Sequence, residues 1–260
     1  AYTVNQRSTD SVFAGLHGKH AAHSWQVNAR HDANSQFGAA NTGLAGYAYQ
    51  LTPEWRVRAS VGTSFKAPSF NDLYWPDYGN TTTQPETGRN TEAGLNYAND
   101  VMHGGVTYFV NRIQGFITIL PAVSNVPFAR MEGWSLDTGG NLGALDYRAQ
   151  LDLLKAENEL TGKKLARRPD RQLTLSGDYA WGAWKFGANW LLASDSYDDA
   201  ANTLVLDGYG TVDLYARRAL KPGWHVEGKL VNAGDKTYQT VNGYNQPGRS
   251  AYLTLRYTPQ

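Results

Sequence analysis

The sequence predicts an all-β protein, an antiparallel up-and-down transmembrane β-barrel. Two observations predict it: apolar and polar residues alternate along many short stretches, and the links between these stretches alternate between short and long. The clearest stretch runs from Trp55 to Lys66, with mostly apolar odd positions and small or charged even positions. Successive strand residues point to opposite faces, so this strand has one apolar and one hydrated side. At about 3.3 Å per residue it would span roughly 40 Å, enough for a tilted bilayer crossing.

The same alternation recurs along the chain and predicts about thirteen strands. In order, they cover residues 10–19, 25–32, 43–51, 55–66, 91–97, 103–118, 130–138, 145–153, 173–179, 184–192, 211–217, 224–232 and 251–257. Short links near residues 20, 53, 100, 141, 181 and 220 alternate with long ones near 36, 78, 123, 163, 200 and 241. Membrane barrels have short turns on one rim and long loops on the other, whereas sandwiches have no reason to sort loops by length.

The composition excludes several classes of protein and site, but it does not identify the fold. The 260 residues carry a net charge of +1, no cysteine, 16 tyrosines and 8 tryptophans. This charge gives no argument for a nucleic-acid partner, and the lack of cysteine excludes a disulfide framework and thiolate metal sites. There is no starting Met, basic-then-apolar leader or long apolar run, so we expect neither a signal peptide nor a transmembrane helix.

Several motifs resemble those of TonB-dependent outer-membrane transporters. They are GTSFKAPSFNDLY (62–74), QPETGRNTEAGLNY (84–97), NVPFARMEGWSLD (125–137), LTGKKLARRPDRQLTL (160–175), VNAGDKTYQTVNGYNQPGR (231–249) and AYLTLRYT (251–258). Within that family, NARHDANSQFG (28–38), KLARRP (164–169) and GYNQPGR (243–249) are most similar to members that carry cobalamin (vitamin B12).

This resemblance implies a Gram-negative outer-membrane barrel of ~22 strands, plugged by an N-terminal domain. Residues 1–260 would be the C-terminal part of the barrel domain, with the plug, the TonB-engaging segment and the family's calcium-binding loops outside them. An odd number of strands cannot close an ordinary antiparallel barrel, so this part alone should not transport. The implied partners are cobalamin or a similar large, scarce nutrient, the TonB complex through the plug, outer-membrane lipid and lipopolysaccharide; no cofactor, enzymatic activity or nucleic acid is expected.

The resemblance also indicates binding residues in the long loops. Arg167 matches a ligand-contacting arginine of the cobalamin-carrying members, and Tyr197 corresponds to a ligand-contacting tyrosine in a loop of different spacing. Arg168 belongs to the same basic run as Arg167, which would clamp a ligand phosphate through bidentate contacts. The same run equally suits a solvated loop or a contact with anionic lipopolysaccharide.

The sequence leaves other ligands, another fold and another function open. Iron chelates or other corrinoids are alternative ligands, and a soluble β-sandwich carbohydrate-binding module is an alternative fold. An outer-membrane enzyme lacks a Ser/His/Asp or paired-carboxylate arrangement at recognisable spacing. Three loop aspartates favour a hydrated loop over a cation site, and the sequence scatters four histidines rather than clustering them. These residues are Asp195, Asp198, Asp199, His17, His20, His23 and His31.

Overall fold

A computed structural model describes residues 2, 4–120 and 122–259. Its strands are β1 (Thr9–His20), β2 (His23–Asn34), β3 (Gly38–Gln50), β4 (Trp55–Lys66), β5 (Glu86–Ala98), β6 (Met102–Thr118), β7 (Ser124–Leu142), β8 (Leu145–Asn158), β9 (Arg171–Trp181), β10 (Trp184–Ala193), β11 (Ser196–Tyr197), β12 (Val205–Leu206), β13 (Tyr209–Lys221), β14 (Trp224–Val231), β15 (Gln239–Val241), β16 (Tyr244–Asn245) and β17 (Ser250–Tyr257). One short helix, α1 (Phe70–Tyr74), follows β4. Among the residues described, no helix is long and apolar enough to cross a membrane.

Thirteen strands form one antiparallel sheet, as the sequence predicts. Neighbours in the sheet are neighbours in the chain from β1 to β10, and the order continues with β13, β14 and β17. The remaining four strands form two small ribbons, β11 with β12 and β15 with β16, inside long loops. β1 and β17 each pair on one side only, so the wall is open and the barrel is not closed.

The apolar face of this sheet is exposed rather than packed in a core. A continuous apolar row crosses seven strands in register, and it is formed by Val57, Leu95, Val106, Leu136, Leu151, Leu173 and Leu192. Nearby aromatic residues such as Trp134 and Trp55 are 47% and 40% exposed. No second large sheet covers this face within the described ranges. The β-sandwich alternative is therefore wrong, because a sandwich buries such rows between two sheets.

The opposite face of the wall carries paired polar side chains. Arg58 donates to Thr107 Oγ1 at 2.9 Å and lies 3.5 Å from Glu92. Farther round the wall, Lys185 pairs with Asp178 at 3.1 Å. This separation of charges from the apolar row agrees with the hydrated side predicted for the even positions of residues 55–66.

The observed link lengths confirm the six short turns predicted for one rim and four of the six long loops predicted for the other. Turns of two to four residues join β1–β2, β3–β4, β5–β6, β7–β8, β9–β10 and β13–β14. On the other rim four loops are long, covering residues 67–85, 159–170, 194–208 and 232–249.

The long loops predicted near residues 36 and 123 are wrong. Strand pairing continues out to Asn34↔Gly38 and to Thr118↔Ser124, which leaves links of only three and five residues. At the first link, the Asn34 side chain accepts from the Gln36 and Phe37 amides at 3.0 Å each and so closes a tight turn. β6 and β7 therefore project beyond their neighbours as a hairpin of 17 and 19 residues.

Candidate ligand-binding site

Two long loops lie side by side next to the tip of the β6–β7 hairpin and hold each other in place. These are loop 159–170, after β8, and loop 194–208, after β10. Asn202 bridges them, since its side chain accepts from the Lys164 amide at 2.7 Å and donates to the Lys164 carbonyl at 3.0 Å. The amide of Arg167 donates to the Tyr197 carbonyl at 2.6 Å. The predicted ligand residues therefore lie on a backbone that neighbouring loops fix.

Loop 159–170 is anchored to the sheet by one apolar side chain. Leu165 is buried against Ala129 of β7 and Ala156 of β8. Its amide also donates to the Ala156 carbonyl at 2.9 Å. The backbone on either side of Leu165, which carries the basic residues, is thus held at the rim.

Arg167 occupies an unusual backbone conformation and pairs across the loops. Its φ of 59° lies in the left-handed region, which non-glycine residues rarely adopt and which often marks functional sites. Its Nε donates to Asp198 Oδ1 at 2.5 Å, with Asp198 largely buried. Within the described residues, its two terminal nitrogens make no hydrogen bond, so they remain available to a ligand.

Arg168 packs on an aromatic ring instead of pairing with an acid. Its guanidinium carbon lies 5.1 Å from the Phe116 ring centroid, and Nη1 donates to the Ala166 carbonyl at 3.0 Å. Burial lowers the pKa of this guanidinium, an effect that Glu86 partly opposes. Arginine stays charged in proteins, so the site keeps a partly desolvated cation.

A cavity of about 450 Å³ separates loop 159–170 from the tip of the β6–β7 hairpin. Arg167 and Arg168 line one side of it, as do Lys163 and Lys164. The other side is largely apolar and consists of Phe116, Ile117, Thr118, Ile119, Leu120 and Val126. The cavity can therefore hold a group that is anionic on one edge and apolar on the other.

Tyr197 does not line this cavity. It supplies the carbonyl that binds the Arg167 amide, and its ring centroid lies 5.9 Å from Lys164 Nζ. That lysine also pairs with Asp170, which raises the pKa of its ammonium group. Tyr197 thus belongs to the same loop cluster as both arginines, and its contact with a ligand stays a prediction.

The apolar side of the cavity was not indicated by any motif in the sequence. Its residues reach the rim because β6 continues to Thr118. A buried carboxylate fixes that end of the strand: Glu86 accepts from the Ile117 amide at 2.8 Å and pairs with Lys66 at 3.1 Å. The long apolar-rich stretch 116–120 indicated a strand but gave no indication of facing a ligand.

Two of the three loop aspartates, Asp198 and Asp199, have structural roles. Asp198 pairs with Arg167, and Asp199 accepts from the Thr203 and Leu204 amides at 2.8 and 2.9 Å. The Leu204 amide and the Thr203 hydroxyl hold the pKa of the Asp199 carboxyl below its usual range. Across the described part of the chain, no three His, Cys, Asp or Glu side chains are arranged to hold a metal ion.

Asp199→Asn is expected to loosen loop 194–208. A carboxyl with a lowered pKa stabilises the folded loop above its unfolded pKa, near 4, and this stabilisation is lost as pH falls through the folded value. At pH 6 the amide proton of Leu204 should therefore exchange faster in the variant than in the wild type. The two should converge as the pH falls well below 4. Equal exchange rates at pH 6 would contradict this role for Asp199.

A family model described as "TonB dependent receptor-like, beta-barrel" matches residues 2–245. The chain belongs to the TonB-dependent receptor family. An antiparallel sheet with one exposed apolar face is what part of the barrel wall of such a receptor requires.

Among curated relatives of this receptor chain, the most similar include vitamin B12 transporters. The transporter BtuB of Photobacterium profundum is 32% identical over 98% of the chain, which covers 44% of that protein. BtuB of Vibrio vulnificus is 25% identical over 98% of the chain and 43% of the relative. The receptor chain therefore spans less than half the length of these relatives.

Solved structures share the fold at lower identity. The ferric enterobactin receptor PfeA of Pseudomonas aeruginosa, in a mutant form, superposes with a TM-score of 0.82 at 21% identity, over 96% of the chain and 45% of that structure. The siderophore receptor PirA of Acinetobacter baumannii gives 0.81 at 16% identity, over 96% of the chain and 46% of that structure. At these identities the likeness concerns the fold alone.

Proposed function

We propose that residues 1–260 are the C-terminal part of the barrel domain of an outer-membrane transporter that imports cobalamin or a related corrinoid. The plug and the segment that engages TonB would come from outside these residues. The family membership supports a TonB-dependent transporter, and the relatives that are vitamin B12 transporters favour the corrinoid. The long-loop rim would face the cell exterior, and the short turns the periplasm.

The cavity under loop 159–170 is the observation that carries the proposed binding site. Cobalamin carries a phosphodiester beside an aromatic base, and the cavity combines two arginines with an apolar wall. Arg167 would bind the phosphate through its terminal nitrogens, and Arg168 would supply a second, partly desolvated charge. A corrinoid is larger than about 450 Å³, so only this edge of it would enter. Tyr197 would keep Arg167 in place and contact the ligand from the adjoining loop.

Binding here needs no chemistry on the ligand. The loops would capture a nutrient too large and too scarce to diffuse through an open pore. A pull by TonB on the plug would then release the nutrient inward. Outer-membrane lipid and lipopolysaccharide would surround the apolar face of the wall.

A titration of the full-length receptor in detergent tests this function. We expect cyanocobalamin to bind and to be displaced by other corrinoids, while ferric enterobactin fails to compete. The second candidate is an anionic iron chelate, because the two arginines would also suit such a ligand. Tight binding of the ferric chelate with no binding of cyanocobalamin would overturn the proposal and favour this second candidate.

A further inference from the structure

Five cations lie on the apolar face of the wall, near the long-loop rim. They are Arg89 on β5, Arg112 on β6, Arg130 on β7, Lys155 on β8 and Arg171 on β9. Register fixes their face: Arg89 lies opposite Arg112, and Arg112 opposite Arg130. Along β7, Arg130 and Leu136 of the apolar row are six positions apart, and this even spacing keeps both on one face.

This arrangement departs from the rest of the outer face, which is mostly apolar and aromatic. Like charges directly opposite each other destabilise a strand pair, and here two such pairs are consecutive. A charge facing the centre of the hydrocarbon layer would cost about 2–4 kcal/mol, falling towards zero at the interface. The row therefore belongs at the edge of the membrane, where an anion can offset the repulsion.

The depth of the row agrees with that edge. Eight positions along β5 separate Tyr97, near the short-turn rim, from Arg89. At about 3.3 Å per residue and a tilt of about 40°, they rise roughly 20 Å along the membrane normal, close to the ~25 Å height of the apolar band. Tyr179 and Arg171 are also eight residues apart, on β9.

Acidic neighbours neutralise only part of this row. Arg130 pairs with Glu132 at 2.5 Å, and Lys155 pairs with Glu157 at 2.8 Å. Glu159 lines a cavity of about 310 Å³ with Arg89 and Arg112. In the described ranges, no salt bridge or side-chain hydrogen bond involves the guanidinium of Arg89, Arg112 or Arg171. The Nε of Arg130 is buried and also lacks a partner.

We propose that the row centred on Arg89, Arg112 and Arg130 binds the phosphate groups of lipopolysaccharide in the outer leaflet. The proposal rests on the outer-membrane placement proposed above and on the long-loop rim facing outward. Guanidinium groups suit phosphate because their forked donors bind two oxygens at once. Acyl chains of the same molecule would lie along the apolar row below the arginines. One lipid would therefore meet both chemistries of this face.

The test uses the full-length receptor in detergent with the double substitution Arg89→Gln/Arg112→Gln. Binding of bisphosphorylated lipid A is measured by native mass spectrometry beside a dephosphorylated lipid A with the same acyl chains. We expect the variant to bind the bisphosphorylated form at least about tenfold more weakly, and the dephosphorylated form unchanged. The matched control, Arg56→Gln/Arg148→Gln, removes two arginines from the hydrated face and should leave both affinities unchanged.

Several results would overturn the proposal. One is an equal loss of lipid A affinity in the control variant, and another is an equal loss of affinity for the dephosphorylated lipid. A third is competition by millimolar inorganic phosphate as strong as the competition by lipid A, which would indicate a site for a free anion. If the glutamine variant fails to fold, the double variant Arg89→Lys/Arg112→Lys takes its place. It keeps the charge, and we expect it to retain part of the affinity for bisphosphorylated lipid A. The proposal is also overturned if this lysine variant binds with full wild-type affinity and the single variant Arg112→Gln binds unchanged. Cyanocobalamin binding is measured on the Arg89→Gln/Arg112→Gln variant as well. It tests the proposed transport function separately, so a failure of the lipid proposal can be distinguished from a failure of that function.

Discussion

Leu136→Arg is expected to lower the free energy of unfolding in a bilayer by about 2–4 kcal/mol, the cost of an arginine facing the hydrocarbon midplane. Leu136 lies opposite Val106 on one side and Leu151 on the other. It is also 39% exposed in the isolated wall, so its side chain has no protein core to enter. Denaturant unfolding of the full-length receptor in lipid vesicles measures the effect.

The neighbouring residue provides the control for this prediction. Asp137→Arg places the same charge one position along β7, where alternation directs it to the hydrated face. We expect a change of less than about 1 kcal/mol there, because that side chain stays in water. Equal losses for both variants would mean that the two faces of β7 do not differ in solvent.

Arg167→Ala is expected to weaken cyanocobalamin binding by roughly 10–100-fold. Truncation removes a charge-assisted contact worth about 1.5–3 kcal/mol, and it also leaves the largely buried Asp198 without its partner. Equilibrium titration of the full-length receptor gives the affinity. Arg167→Lys keeps the charge without the forked geometry, and it should recover only part of the loss.

Arg171→Ala is the matched control, since it removes a cation at the end of the same loop. Arg171 begins β9 opposite Leu153, on the face that carries the apolar row. Its removal should leave cyanocobalamin affinity unchanged. If Arg167→Ala also left the affinity unchanged, Arg167 would not belong to the site. An equal loss in both variants would indicate a general charge effect.

Strand number and face assignment could be predicted because both depend on local alternation. Each strand of the wall has one apolar face and one hydrated face. An alternation of apolar and polar residues such as that from Trp55 to Lys66 is therefore sufficient to identify a strand. Strand ends were harder to predict. Asn34 and Asn125 stabilise the long hairpins through hydrogen bonds that a hydropathy pattern does not contain.

The site was only partly predictable because its contacts join distant segments. Arg167 and Arg168 were indicated by resemblance and do line the cavity. The pairing of Arg167 with Asp198 crosses two loops 31 residues apart, and the apolar wall comes from a hairpin earlier still. No spacing rule within one segment connects these residues. The arginine row likewise becomes visible only when strand register places Arg89 beside Arg112.

The central claim is that the apolar face of this sheet contacts lipid hydrocarbon. A nitroxide scan along β7 from Trp134 to Asp137, in the full-length receptor in vesicles, tests it most directly. We expect high accessibility to oxygen at Trp134 and Leu136, and high accessibility to a water-soluble nickel chelate at Ser135 and Asp137. Two accessibility profiles in phase with each other, or no period of two, would contradict it.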